Sequence, residues 1–376
     1  MSGVFIVGTG YVADLYMRSL KTFPEIRTKA AYDRNPRRLA EFCTYWGVQP
    51  ANTFEQLLES SSEHDVILNL TNPSEHFNVS LSCIQAARHV YSEKPLATQM
   101  ADAYALHTLA REKRVLIASA PCSFLGEAAQ TLWRAVRDGV AGKPLIVYAE
   151  LDDDFVTQAP YRKWISESGA PWPYADEFRT GCTLEHAGYY LTWLIAMFGS
   201  VKTVVAASAA LIERKLETNE AVPDFSVATL FFESGVVARL TCSIIAPHNH
   251  RLRIMGSSGV LEIDESWNND AKVRLRRRLV IRRRLINSPF ARRIRLIGQT
   301  HPKVGRYGSG TMNFALGPAE MLAAIREQRP CRMSADFALH LNEVTLAIQT
   351  SGSTSGAQQM QTRCGPIEPM AWAEAP

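Results

Sequence analysis

The feature that most constrains this chain lies at its start, where Val4-Phe5-Ile6-Val7 runs straight into Gly8-Thr9-Gly10-Tyr11-Val12-Ala13. β-Branched and aromatic residues favour a strand, and the apolar positions Val12, Leu15, Tyr16 and Leu20 beyond the turn recur at helical spacing. A second strand, Thr28 to Tyr32, ends at Asp33. In a G-x-G-x-x-A turn the glycines let the backbone approach a pyrophosphate, the helix N-terminus faces its charge, and the third small residue lets helix pack on strand. An acid about 20 residues further on accepts from the adenosine ribose hydroxyls. Strand, turn, helix, strand and acid occur here in that order. They predict a dinucleotide site with Gly8, Thr9, Gly10, Tyr11 and Val12 at the diphosphate and Asp33 and Arg34 at the ribose. Asp33 would repel a 2′-phosphate, which favours NAD, whereas Arg34, Arg37 and Arg38 could hold one and keep NADP open.

The alternation continues. A strand over Asp65 to Leu70 ends in Thr71-Asn72-Pro73, with Glu75-His76 and a helix over Phe77 to Ala87 after it. The strand His89 to Ser92 runs into Glu93-Lys94-Pro95, and a helix over Ala101 to Glu112 precedes the strand Val115 to Ala120. This spacing predicts an α/β fold with a doubly wound parallel sheet, whose strand tips hold ligand. The 376 residues suit two domains. The expected division is 1–120 for the dinucleotide half, 121–350 for an α/β substrate half, and a flexible Ser/Gly/Gln-rich tail over 351–376. Strand-like runs at Val201 to Ala207, Phe225 to Phe232, Val236 to Ile245, His250 to Met255 and Val260 to Ile263 read as a meander. Helices follow over Pro318 to Glu327 and Asp336 to Gln349, the latter with Ser334 as N-cap.

Four segments together resemble the glucose-fructose oxidoreductase, inositol dehydrogenase and rhizopine-catabolism (Gfo/Idh/MocA) family: Gly8 to Ala13, Thr71-Asn72-Pro73 with His76, Glu93-Lys94-Pro95, and Gly181-Cys182-Thr183-Leu184-Glu185-His186-Ala187-Gly188-Tyr189-Tyr190. The resemblance implies an N-terminal Rossmann domain for NAD(P), with Thr71, Asn72, Pro73, His76, Glu93 and Lys94 along the cofactor. It also implies a C-terminal domain on an open, mostly antiparallel sheet, and a homo-oligomer. In the family the lysine matching Lys94 binds the reacting hydroxyl and assists proton transfer. Aligned on Leu184 and Gly188, His186 stands where the family has Asp and Tyr190 where it has His or Tyr. As i and i+4 on one helical face, both would reach one pocket. His186 could relay protons near neutrality, orient substrate, or be a satisfied core histidine. Thr180-Gly181-Cys182 replaces the family's glycine triplet. Cys182 reads as a buried small residue, since no Cys–His pair accompanies it.

Between the halves, Tyr161-Arg162-Lys163-Trp164 and Trp172-Pro173-Tyr174 with Asp176, Glu177, Phe178 and Arg179 form an aromatic, charged loop. Aromatics stack on sugar faces and Arg holds carboxylate or phosphate, so Arg162, Trp164, Arg179 and Thr183 are the expected substrate contacts. His248, His250 and Glu185 have no metal-ligand spacing, and no metal is expected. Seven scattered cysteines without a C-x-x-C pair fit a reducing setting. A turn starting at residue 8 leaves no room for a cleaved leader, so a cytoplasmic protein is expected.

The charge is uneven. Thirteen of the 41 Lys and Arg residues lie between Lys272 and Arg306 with no acid among them, and the remaining 28 face 37 acids, which puts the rest of the chain at −9. A hairpin-like basic insertion over about 271–306 suits this stretch. Its arginines could discourage edge pairing, hold a nucleotide-sugar diphosphate, or meet an anionic membrane surface. No base-stacking or helix-turn-helix pattern accompanies it, so nucleic acid is not expected. The reading is an oxidoreductase moving hydride between a nicotinamide and a hydroxyl or keto carbon of a sugar, inositol or nucleotide-sugar derivative. A catalytically silent dinucleotide sensor of the same fold is the alternative.

Overall fold

The computed structural model describes residues 3–213, 215, 222–305, 308–354 and 356–374; Arg306, the last residue of the basic stretch, lies outside them. Five parallel strands form the first sheet: β1 Gly3–Val7, β2 Arg27–Tyr32, β3 Val66–Asn69, β4 His89–Ser92 and β5 Ile117–Ser119, in the order β2-β1-β3-β4-β5. Successive side chains of β1 face opposite sides, so Val4 and Ile6 enter one core while Phe5 and Val7 enter another. A strand buried on both faces reads as a continuous apolar run, as Val4 to Val7 does. Strand order reverses between β1 and β3, whose carboxyl ends carry the Gly8 and Thr71 loops, and the Lys94 loop follows the adjacent β4.

The second sheet has strands β6 Pro144–Phe155, β7 Val201–Ala209, β8 Phe225–Phe232, β9 Val237–Ser243, β10 Ile245–Asn249, β11 Leu252–Gly256, β12 Gly259–Ile263, β13 Arg274–Ile281, β14 Arg284–Asn287, β15 Arg292–Arg293 and β16 Ala357–Gln359. It is not the simple meander expected. β6 inserts between β11 and β9 and runs parallel to β9. The inward-facing Val147, Ala149 and Leu151, fully buried, make β6 a central strand that ends in Asp152-Asp153-Asp154. The basic stretch is a hairpin, β13–β14, extending the sheet edge.

A helix near the C-terminus ties the halves together. Ala335–Gln349 is capped by the Ser334 hydroxyl, which accepts from the Phe337 N–H at 3.2 Å. Its Asn342 accepts from the Ala97 N–H at 3.2 Å and its His340 from the Val201 N–H at 2.9 Å, one contact on each half. Of the flexible tail expected over 351–376, the described residues 351–354 and 356–374 are instead held against the body. β16 pairs with β7, Met360 and Ala373 are buried, and Arg332 donates to the Glu368 and Pro369 carbonyls. Its small polar residues hide this because the anchoring is through backbone groups. Among the described residues no helix is long and apolar enough to cross a membrane.

Candidate active site

A cleft of about 1130 Å³ opens between the two halves. Its floor begins at Gly8, whose φ of +90° belongs to the left-handed region and where a Cβ would sit 2.7 Å from the Leu70 carbonyl oxygen. At Gly10, the N-cap of helix Tyr11–Leu20, an added Cβ would meet nothing within 4 Å. One glycine makes the turn and the next presents bare backbone and a helix N-terminus to the cleft, a fit for a dinucleotide diphosphate. Tyr11, Val12, Thr71, Asn72, Pro73, His76, Glu93 and Lys94 line the same floor.

Several expected cofactor residues turn out to hold the cleft's walls. Asp33 accepts from the Thr9 N–H at 2.7 Å, the Thr9 hydroxyl at 2.9 Å and the Asn35 N–H at 2.8 Å, so it braces the glycine turn at the end of β2. Arg34 points outward to Glu75 at 3.4 Å; Arg38 is the arginine in the cleft, donating to the Thr9 and Ser168 carbonyls at 2.8 Å each. The His76 ring bridges the Thr71 and Pro95 carbonyls at 3.0 and 2.7 Å, joining the β3 and β4 tips. Glu93 accepts from the Tyr16 hydroxyl at 2.5 Å and from the Lys94 N–H at 3.1 Å, which fixes the backbone that carries Lys94.

Lys94 reaches across the cleft to an ion pair with Glu185. Burial works against its charge, but Glu177, Glu185, Tyr189 and Glu93 outweigh it and hold the ammonium well above the usual lysine range. Burial and neighbouring Glu177 raise Glu185 well above the usual carboxylate range, against the pull of Lys94. Glu177 is the neighbouring carboxyl that works with burial to favour the protonated form of Glu185. An ammonium backed by a carboxyl whose protonated form is favoured can bind an oxygen and pass its proton.

The segment expected to supply His186 and Tyr190 has a different register. Thr183–Ala187 is a π-helix, which accommodates one extra residue, and Gly188–Phe198 continues as α-helix. Glu185 and Tyr189 therefore face Lys94, while Tyr190 rotates on into the core, where it is fully buried and donates to the His250 carbonyl. His186 stays at the cleft edge. Burial, then Lys94 and His250, push it down to about 3, so it is neutral and does not titrate near neutrality.

Three expected substrate contacts are displaced. The Thr183 hydroxyl donates to Ser226 at 2.8 Å in the core. Arg162 lies over Tyr174, 4.8 Å from the ring centroid, and Arg179 pairs with Asp176 at 3.6 Å; none of the three lines the cleft. Trp164 does, together with Trp172, Asp176, Glu177 and Phe178. Asn72 donates to Asp176 at 2.7 Å, closing the loop over the floor. Cys182 lines the cleft as a buried residue. Asp153 at the end of β6, His248 in β10 and Trp267 complete the far wall. Burial pushes Asp153 up to about 7. No local motif announces them, because strands distant in sequence bring them together.

A family profile described as an oxidoreductase family with an NAD-binding Rossmann fold matches residues 2–120, and one for the GFO/IDH/MocA C-terminal domain matches residues 129–262. The chain belongs to the GFO/IDH/MocA oxidoreductase family. Membership makes the first sheet an NAD-binding Rossmann domain, in agreement with the Gly8–Gly10 turn. Myo-inositol 2-dehydrogenase of Thermotoga maritima is 23% identical over 269 residues, 69% of this chain and 74% of that protein. Trans-1,2-dihydrobenzene-1,2-diol dehydrogenase of Mus musculus is 23% identical over 264 residues, covering 70% and 74%. Among solved structures, levoglucosan dehydrogenase with NADH and levoglucosan superposes with a TM-score of 0.78 at 16% identity, over 96% of this chain and 100% of that one. The WlbA dehydrogenase of Bordetella pertussis with NADH and UDP-GlcNAcA gives 0.71 at 18%, over 95% and 97%.

The two tyrosines separate the two registers. Tyr189→Phe is expected to lower kcat by about 10²-fold. Tyr190→Phe should leave kcat unchanged and cost about 1 kcal/mol of stability, because the His250 carbonyl loses its donor. Steady-state rates with thermal unfolding of both variants check this; the opposite pattern would restore Tyr190 to the site.

Proposed function

We propose that this GFO/IDH/MocA protein interconverts a secondary hydroxyl and a ketone on a sugar, inositol or related polyol, with NAD as the preferred carrier and NADP as the other form to compare. The observation that carries the reading is the Lys94–Glu185 pair inside the cleft, with Glu177 behind it and Tyr189 beside it. When bound, the nicotinamide supplies or accepts the hydride. Lys94 binds the reacting oxygen and gives it a proton during reduction, and Glu185 with Glu177 replenishes or takes up that proton. Tyr189 presents a hydroxyl to the same oxygen. Trp164 and Trp172, ring centroids 5.0 Å apart, offer apolar faces to a sugar ring. Asp153, Asp154, Asp176, Glu177 and Glu185 line the cleft and accept from hydroxyls, which favours an uncharged polyol over a sugar acid.

The test is nicotinamide absorbance in both directions with a panel of sugars, inositols, sugar acids and nucleotide-sugars, for each of NAD and NADP. Turnover of an uncharged polyol or its ketone is expected. Firm dinucleotide binding with no turnover across the panel would favour the silent sensor, against which the complete lysine–carboxyl pair speaks.

Assembly and location extend the reading. The sheet face carrying Val205, Phe231 and the Arg239–Tyr148–Arg253 stack is open to solvent and supports a homo-oligomer; a monomeric mass in light scattering would count against it. The β13–β14 hairpin exposes Val280 (73%) and Leu285 (67%) beside Arg282, Arg283 and Arg284, which supports contact with an anionic bilayer. Salt-sensitive flotation with anionic vesicles is the expected result, and none would remove the idea.

A further inference from the structure

The far wall of the cleft holds a cluster that hydride transfer leaves unused. Three segments assemble it: the end of β6 with Asp153, β10 with His248, and His250 just before β11. One ligand atom from each of these three residues lies within 4.8 Å of the others. Glu265, after β12, receives both imidazoles, from His250 Nδ1 at 2.8 Å and from His248 Nε2 at 3.0 Å. A carboxylate only accepts, so each ring turns an N–H toward Glu265, and in its neutral form offers a lone pair on the other nitrogen. The His250 side chain is fully buried and its Nε2 has no hydrogen-bond partner. A buried ring nitrogen with a free lone pair is costly unless something coordinates it. Trp267, edge-on to His250 at 4.5 Å, holds that ring in place.

We propose that Asp153, His248 and His250 bind one divalent transition-metal ion, zinc being the best match, with a fourth position open to the cleft. Two neutral imidazoles and one carboxylate with an open position are a zinc donor set of the catalytic type. Glu265 is the outer carboxylate that orients both rings and raises their basicity. His186 borders the site, its Nε2 3.8 Å from Asp153 Oδ2. The ion's place beside the substrate rests on the polyol reading: there it would take a second substrate oxygen and orient the ring, while hydride and proton transfer stay at Lys94. The binding itself does not depend on that reading.

The experiment is equilibrium dialysis of the chelator-stripped full chain against Zn²⁺, with Co²⁺ absorption to report coordination. One equivalent of Zn²⁺ and tetrahedral Co²⁺ bands are expected. His248→Gln, at an exposed position, should lower affinity about 10- to 100-fold or more, and Glu265→Gln about 10- to 100-fold, with dinucleotide binding retained in both as the check on folding. Absence of stoichiometric binding, or binding unchanged in both variants, would overturn the site. A failed substrate panel with zinc bound would instead count against the polyol reading alone.

Discussion

Lys94→Ala is expected to lower kcat/KM by about 10²–10⁴-fold while leaving dinucleotide affinity close to that of the parent. That loss corresponds to about 3–5 kcal/mol of transition-state stabilisation. Glu93 and Pro95 set the position of the lysine, and it sits at the carboxyl end of β4 where the substrate oxygen must lie. An alanine leaves nothing to hold that oxygen or give it a proton. The floor of the cleft is untouched, because the Gly8–Gly10 turn and its Asp33 brace belong to other strands. Glu185 loses its cation, but burial and Glu177 already favour its protonated form, so the variant leaves no bare buried charge there. Fluorescence titration with the dinucleotide and steady-state rates measure the two quantities separately. Turnover within tenfold of the parent would remove Lys94 from the mechanism.

Glu185→Gln tests the proton route, and a fall in kcat of about 10²-fold is expected. The amide keeps the volume and a hydrogen bond to Lys94 but carries no charge. Burial opposes the Lys94 ammonium, and Glu177, Glu185, Tyr189 and Glu93 together sustain it. Removing one of these carboxylates lowers the lysine's pKa. Ketone reduction needs the protonated form, so the basic limb of its pH–rate profile should move to lower pH in the variant. A profile measured in the reductive direction checks this. A kcat at the parent's level with an unmoved basic limb would mean that Glu185 plays no part.

These two residues also show how legible the site was. Lys94 stands in a local motif, Glu-Lys-Pro at a strand end, and could be named from the chain alone. Glu185 could not be picked out, because alignment on Leu184 and Gly188 put His186 and Tyr190 at the catalytic places. The π-turn at Thr183–Ala187 changes the register, and it depends on how the segment packs between the Lys94 loop and β9. Arg162 and Arg179 had the right chemistry for an anionic substrate, yet Tyr174 and Asp176 engage them outside the cleft. Pro144–Phe155 carries no strand assignment from its sequence, and its neighbours make it a central strand.

Periodicity and local motifs were enough to define the parallel sheet, the glycine turn, the basic hairpin and Lys94. Each is set by interactions within a few residues: alternation of apolar side chains, a φ only glycine adopts freely, a lysine held between Glu93 and Pro95. The partner of Lys94, the tyrosine beside it and the Asp153–His248–His250 cluster were decided by tertiary structure. Their members lie up to 97 positions apart in the chain, from Asp153 to His250. Only the pairing of β6 with β9, β10 and β11 and the packing of the π-turn bring them face to face.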